Sequence, residues 1–142
     1  NAILLLGFKD VAVFACDELI VREKDTGEIM ALAEERFDKR LPLYCDSAEP
    51  DRIRTWRAGG WRVRPARKGP GSVRAQIDWL KARSLLIHPR CTQLLAELQS
   101  WKWRRDSVSG EWLDEPSEGF DDAIAALRYG IEGWRRTEIS FE

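Results

Sequence analysis

Apolar positions gather in two runs at the start of the chain, residues 2–8 and 11–20, separated by the polar pair Lys9-Asp10. Both runs are rich in β-branched or aromatic types, and a short polar break between them predicts a hairpin. Asp25, followed three residues later by Glu28, has the form of a capping box. Ile29, Leu32, Ala33 and Phe37 then recur at helical spacing, predicting a helix to about Arg40 that Pro42 stops. Leu43-Tyr44-Cys45 reads as a short buried strand ending in Asp46. Pro50 suits the first turn of a second helix carrying Ile53 and Trp56, which Gly59-Gly60 ends.

Beyond it, Trp61, Val63 and Pro65 alternate with Arg62, Arg64 and Ala66, a strand pattern, before the turn-rich Arg67-Lys68-Gly69-Pro70-Gly71. Ser72 is placed to cap a third helix whose Val73, Gln76, Ile77, Leu80 and Lys81 set an apolar stripe beside a basic one. Residues 85–88 form a short strand, and a fourth helix runs through Leu94, Leu95, Leu98 and Trp101. Residues 101–105 alternate Trp with basic groups and lead through a turn into Glu111-Trp112-Leu113, a hairpin with its Trp side chains packed in the core. Ala123, Ile124, Leu127, Ile131 and Trp134 mark a closing helix over 121–135, followed by a frayed tail. Antiparallel strands first and strand-helix alternation afterwards predict an α/β fold, a mixed sheet covered by helices.

The length of 142 residues suits one domain spanning 1–142. Hydrophobic residues at 44% with seven Trp exclude a disordered chain, and 33% charged residues exclude a membrane protein. The longest apolar run falls far short of the ~20 residues a bilayer helix needs and lacks the features of a signal peptide, so a soluble intracellular protein is expected. Cys16, Cys45 and Cys91 are odd in number and widely spaced, which predicts buried free thiols rather than disulfides or a zinc site. His88, the one histidine, is expected to pack at a strand end.

Charge changes the picture more. The formal net charge is -1, yet residues 52–105 hold 14 Lys/Arg against Asp78 and Glu97 alone, while both ends of the chain are acidic. Such a block is the electrostatic footprint of a nucleic-acid binder, or else a solvated face balanced by the acidic ends. Asp46 stands where a strand stops, the place where α/β sheets present ligands. Asp121 and Asp122 open a helix, where carboxylates also serve as caps. Acids far apart in sequence and separated by a cationic block are what a metal-dependent phosphodiester-cleaving site requires, because hard divalent ions take oxygen ligands. No GxxxxGK[ST] occurs, so the chain carries no nucleotide P-loop.

Five blocks, read together, resemble one family. They are Leu43-Tyr44-Cys45-Asp46-Ser47-Ala48-Glu49-Pro50, Ala66-Arg67-Lys68-Gly69-Pro70-Gly71-Ser72-Val73, His88-Pro89-Arg90-Cys91, Glu97-Leu98-Gln99-Ser100-Trp101-Lys102-Trp103 and Phe120-Asp121-Asp122-Ala123-Ile124-Ala125-Ala126-Leu127-Arg128-Tyr129. In this order and spacing they are similar to the C-terminal nuclease domain of the large subunit of tailed-phage terminases. The resemblance implies a ribonuclease-H-like fold and an endodeoxyribonuclease using two ions, Mg2+ or Mn2+, that cuts concatemeric double-stranded viral DNA during packaging. It assigns metal binding and catalysis to Asp46, Asp121 and Asp122, with Glu49 in support.

The phosphate contacts expected on this reading fall to Arg67, Lys68, Arg74, Lys102 and Arg104. The resemblance further implies the terminase small subunit and the portal or capsid as partners in the full-length protein, and the cytoplasm of a bacterial host. Two departures stand out. The family's first, central strand, with Asp in a D-x-G setting, precedes the segment matching residues 1–8, so the first acidic ligand is expected upstream and the isolated chain is expected to cut weakly or not at all. Unpaired edges left by that strand make self-association an expected consequence. Asp122 also replaces the His of the family's D-H-x-x-D-A-L-R-Y motif, and Ala125 its second Asp. A non-cleaving DNA-binding or assembly module, as in a prophage remnant, and a junction resolvase are the alternatives.

Overall fold

The computed structural model describes residues 1–67, 69–100 and 121–135 in full, and the backbone alone of 103–105, 112–116 and 136–140. Strands β1 (Ala2–Lys9) and β2 (Ala12–Ile20) form the expected hairpin, with Asp10 in the turn at a positive φ of 54°. Helix α1 (Thr26–Glu34) starts at the capping box read from the sequence: Asp25 accepts the Glu28 N–H and Glu28 accepts the Asp25 N–H. Strand β3 (Pro42–Asp46), helix α2 (Pro50–Ala58), strand β4 (Arg62–Ala66), helix α3 (Ser72–Lys81), strand β5 (Ser84–Ile87) and helix α4 (Thr92–Ser100) follow in the predicted order. The hairpin β6 (Trp103–Arg105) and β7 (Trp112–Pro116) then leads to α5 (Asp122–Ser140).

Several expectations are corrected. Helix α1 ends at Glu34, short of Arg40, because the Arg36 and Phe37 N–H groups both close on the Ala33 carbonyl and turn the chain. Phe37 still packs in the core, which is why its spacing imitates one more helical turn. Gly71, not Ser72, is the cap residue of α3: its φ of 73° is left-handed backbone that glycine adopts without strain. The backbone of α5 stays helical to Ser140, beyond Arg135. Of the thiols only Cys91 is buried; Cys16 and Cys45 are partly exposed, Cys16 because it follows the buried Ala15 on β2 and so takes the opposite face of the strand. His88 does not pack; it is exposed and its Nδ1 accepts the Arg90 N–H in the turn leading to α4. Trp134, expected in the core stripe, is 40% exposed and stacks on Phe8 with centroids 4.6 Å apart. The side chains of Trp101, Trp103 and Trp112 lie outside the described residues.

Pairing is mixed, as expected, but divided. β2 pairs β1 antiparallel and β5 parallel, while β3 and β4 form a separate parallel pair. Helix α5 spans the division, since Gly130 abuts Leu6 of β1 and Gly133 abuts the Tyr44 ring of β3. Two apolar clusters result. One gathers α4 and α5 on β2 through Cys91, Leu94, Ala123, Leu127 and Ile131. The other gathers α1 and α2 on β2 and β4 through Leu19, Ile29, Ile53, Trp61 and Val63.

Candidate functional site

The ends of three elements converge. Asp46 closes β3, Asn1 opens β1, and Asp121 and Asp122 stand at the start of α5. The backbone nitrogen of Asn1 lies 3.5 Å from Asp122 Oδ2. From the other side, Arg52 on α2 donates to Asn1 Oδ1 at 2.9 Å and to Glu49 Oε2 at 3.0 Å, and Glu49 follows β3 directly. The start of β1 and the end of β3 therefore share one edge of the molecule. With α5 passing Asn1 at its start and Leu6 further on, β1 and β3 run in opposite directions.

Between them lies a groove of about 600 Å³. Its walls are the edges of β1 and β3 that, among the described residues, carry no strand partner. One face of α5 forms the floor through Ala125, Ala126, Tyr129 and Gly130, and Ile29, Ile53 and Trp56 close the opposite side. The groove is apolar along its length and polar at one end, where Asp46, Glu49, Arg52 and Asp122 line it.

Asp46, Glu49 and Asp122, all named from the sequence, thus face one space. Asp46 Oδ1 accepts the Ala48 N–H at 2.9 Å, an Asx-type turn that anchors the carboxyl at the strand end. Asp121 stands beside this group without lining the groove. Burial raises its pKa above the ordinary Asp value, the neighbouring Asp122 adds to the rise, and Arg128 works against it. Among the described residues no three acidic, His or Cys side chains come close enough to hold a metal ion. The acids present fit a divalent cation in kind, being hard oxygen donors, and fall short of a complete set in number.

The basic candidates separate. In the β3–β4 register Asp46 pairs with Ala66, so Arg67, the next residue, emerges at the acidic end and is exposed. The adjoining loop runs into the N-terminus of α3. Arg74 lies on the first turns of α3, 3.8 Å from Asp78. Lys68 and the side chains of Lys102 and Arg104 lie outside the described residues. Much of the rest of the cationic block has structural work: Arg57 donates twice to the Val63 carbonyl, Arg62 donates to the Arg40 carbonyl, and Arg83 stacks 3.6 Å over the Trp79 ring.

Of the three glutamates buried among the described residues, Glu18, Glu97 and Glu132, two cap helices, a role the sequence pattern does not disclose. Glu97, fully buried on α4, accepts the N–H of Ala123 at 3.0 Å and of Ile124 at 2.9 Å, capping α5 from outside. Glu18 on β2, 7% exposed, caps α4 in the same way through the N–H groups of Gln93 and Leu94 at 2.7 and 3.0 Å. A glutamate inside an otherwise cationic block was the available signal for Glu97, since a lone buried acid requires hydrogen-bond donors.

A mixed α/β sheet covered by helices, with acids collected at the convergent ends of a strand and a helix, defines a ribonuclease-H-like domain. Residues 31–133 match the model of the family described as the terminase RNAseH like domain, and the chain belongs to that family. It is similar to the nuclease domain of g2p, the large terminase of bacteriophage SPP1, solved with bound Mn, at a TM-score of 0.82 and 22% identity over 93% of this chain and 77% of that one. The large terminase of a thermophilic bacteriophage is similar at a TM-score of 0.73 and 20% identity, over 93% of this chain and 36% of that one. The chain thus spans about a third of that relative's length. At these identities the likeness concerns the fold. A comparison with curated protein sequences finds no match.

Proposed function

We propose that this chain is the DNA-cutting domain of a phage packaging terminase, a divalent-metal endonuclease acting on concatemeric double-stranded DNA. The observation that carries the reading is the convergence of Asp46 and Asp122 on one end of the groove, with Arg67 one residue beyond Asp46's register partner. Asp46 and Asp122 would hold the metal, with Glu49 and Asp121 beside them. Divalent ions held there would supply stabilisation of the attacking and leaving oxygens of a phosphodiester displacement. Arg67, Arg74 and the loop before α3 would contact backbone phosphates, a sequence-independent attraction.

The groove supports a further part of this reading. A strand entering by a tight turn at Asn1 would run against β1 and alongside β3, joining the two sheets into one. An acid on it would complete the ligand set. Work within a packaging motor, with a small subunit and portal as partners in the bacterial cytoplasm, belongs to the same proposal.

Cleavage of linear duplex in Mg2+ or Mn2+, by this chain and by one extended upstream of Asn1, tests it. The extended chain should cut and this chain should cut weakly or not at all. Equal cleavage by both would refute the added-strand part, and no cleavage by either would refute the nuclease reading. The shortage of acids among the described residues favours a second reading, a module that grips DNA without cutting. On that reading Asp46→Ala changes neither cleavage nor DNA affinity of the extended chain. On the nuclease reading it abolishes cleavage and spares DNA affinity.

A further inference from the structure

An aspartate just before a helix ordinarily caps it: its side chain accepts the N–H groups two and three positions on. For Asp121 at the head of α5 those groups belong to Ala123 and Ile124, and both are donated to Glu97. Asp121 keeps only the backbone part of the cap role, its carbonyl accepting the Ala125 N–H at 2.9 Å.

We infer that Glu97 is a positioning residue for the Asp121/Asp122 pair: by capping α5 from the neighbouring helix it relieves the Asp121 carboxyl of the cap bonds of that helix. The geometry supporting this is specific. Glu97 is 0% exposed, uses one oxygen for each N–H, and is steadied by Gln93, whose side-chain amide donates to Oε2 at 2.9 Å. A helix with a serviceable capping residue in sequence needs no second one from another element. A long-range carboxyl in that place has an effect the local one lacks, since it fixes the helix start while leaving the local carboxyls outside the helix's hydrogen bonds. Glu18 supplies the control, because it caps α4 with the same chemistry and, among the described residues, its hydrogen bonds go to α4 and not to α5.

The cap exchange stands on geometry alone, and its consequence for cation binding rests on the nuclease reading. The test is a pair of measurements, the first on the 142-residue chain. The first is a double-mutant cycle by chemical denaturation, with Asp121→Ala in the native background and in Glu97→Gln. In the native background Asp121→Ala should be neutral or stabilising, because no cap bond is lost. In the Glu97→Gln background, where one N–H is free for Asp121, it should lower the folding constant about fivefold, the usual cost of a lost cap. Equal effects in both backgrounds would overturn the inference. Glu97→Asp, which keeps both oxygens but draws them back by one methylene, replaces Gln should that variant not fold.

The second measurement is Mn2+ titration of the chain extended upstream of Asn1, where the completing acid is expected, and of its Glu97→Gln and Glu18→Gln variants. Glu97→Gln should weaken binding roughly tenfold, the lower end of what losing an outer-shell partner costs, and Glu18→Gln should leave it unchanged. Equal losses in both variants, or none in Glu97→Gln, would assign Glu97 to stability alone and overturn the positioning role. An extended chain that binds no Mn2+ would count against the nuclease reading, and the denaturation cycle would still decide whether Glu97 has displaced Asp121.

Discussion

Gly133 on α5 meets the ring of Tyr44 on β3 so closely that a β-carbon at position 133 would overlap it. Helix α5 touches both strand groups beside the groove, and this approach sets its depth. A glycine inside a helix costs about 1 kcal/mol relative to alanine. Its presence here is therefore explained by packing rather than by local preference.

Gly133→Ala is expected to destabilise the fold despite the gain in helix propensity, since overpacking costs about 1–3 kcal/mol. A net loss of up to about 2 kcal/mol should appear in urea denaturation. Tyr44→Leu in the same chain should recover part of it, and additive effects of the two substitutions would show that the contact does not limit the approach of α5.

Asp46→Asn retains an oxygen for the Ala48 N–H, so the turn after β3 should survive and the unfolding midpoint should move little. Cleavage by an extended chain should nonetheless fall by more than the roughly 10–100-fold that an outer-shell substitution costs. Activity within a few-fold of native would remove Asp46 from the ligand set.

Arg67→Ala should weaken duplex binding without changing sequence preference, because a phosphate contact positions rather than reads. Plotting the logarithm of the binding constant against that of salt concentration should give a slope shallower by about 0.9 than the native one. An unchanged slope would take Arg67 off the DNA path.

Asp121 has a folded-state pKa raised by burial and by Asp122. The folded chain therefore holds the Asp121 proton more tightly than the unfolded chain. Stability from this group is present below the unfolded value, about 3.9, and is lost as pH rises through the folded-state value. Asp121→Asn should therefore raise the melting temperature at about pH 7 and leave it near native at about pH 3. A variant less stable than native near neutral pH would reverse the sign of the argument.

The order of strands and helices was legible because it rests on local physics. Alternation in residues 61–66, the helical recurrence of Ile29 and Ala33, and the Asp25–Glu28 cap each act over a few residues and need no knowledge of the rest of the chain. The acids at strand and helix ends were legible for the same reason: Asp46 and Asp122 announce themselves by the elements they terminate or open. Even the errors were local in kind, as with Phe37, whose spacing continues a helix that the backbone has already left.

Tertiary structure alone decided which ends meet. Nothing near Asp46 in sequence specifies that it shares a groove with Asp122, because that depends on α5 lying across β1 and β3 at a depth set by two glycines. Nor could spacing reveal that Asp121 is relieved of its cap by a glutamate 24 residues earlier, since a hydrogen bond between helices leaves no periodic trace. Sequence patterns record what each residue does to its neighbours along the chain, whereas the acidic end and its groove arise from contacts between elements, which exist only once the chain has closed on itself.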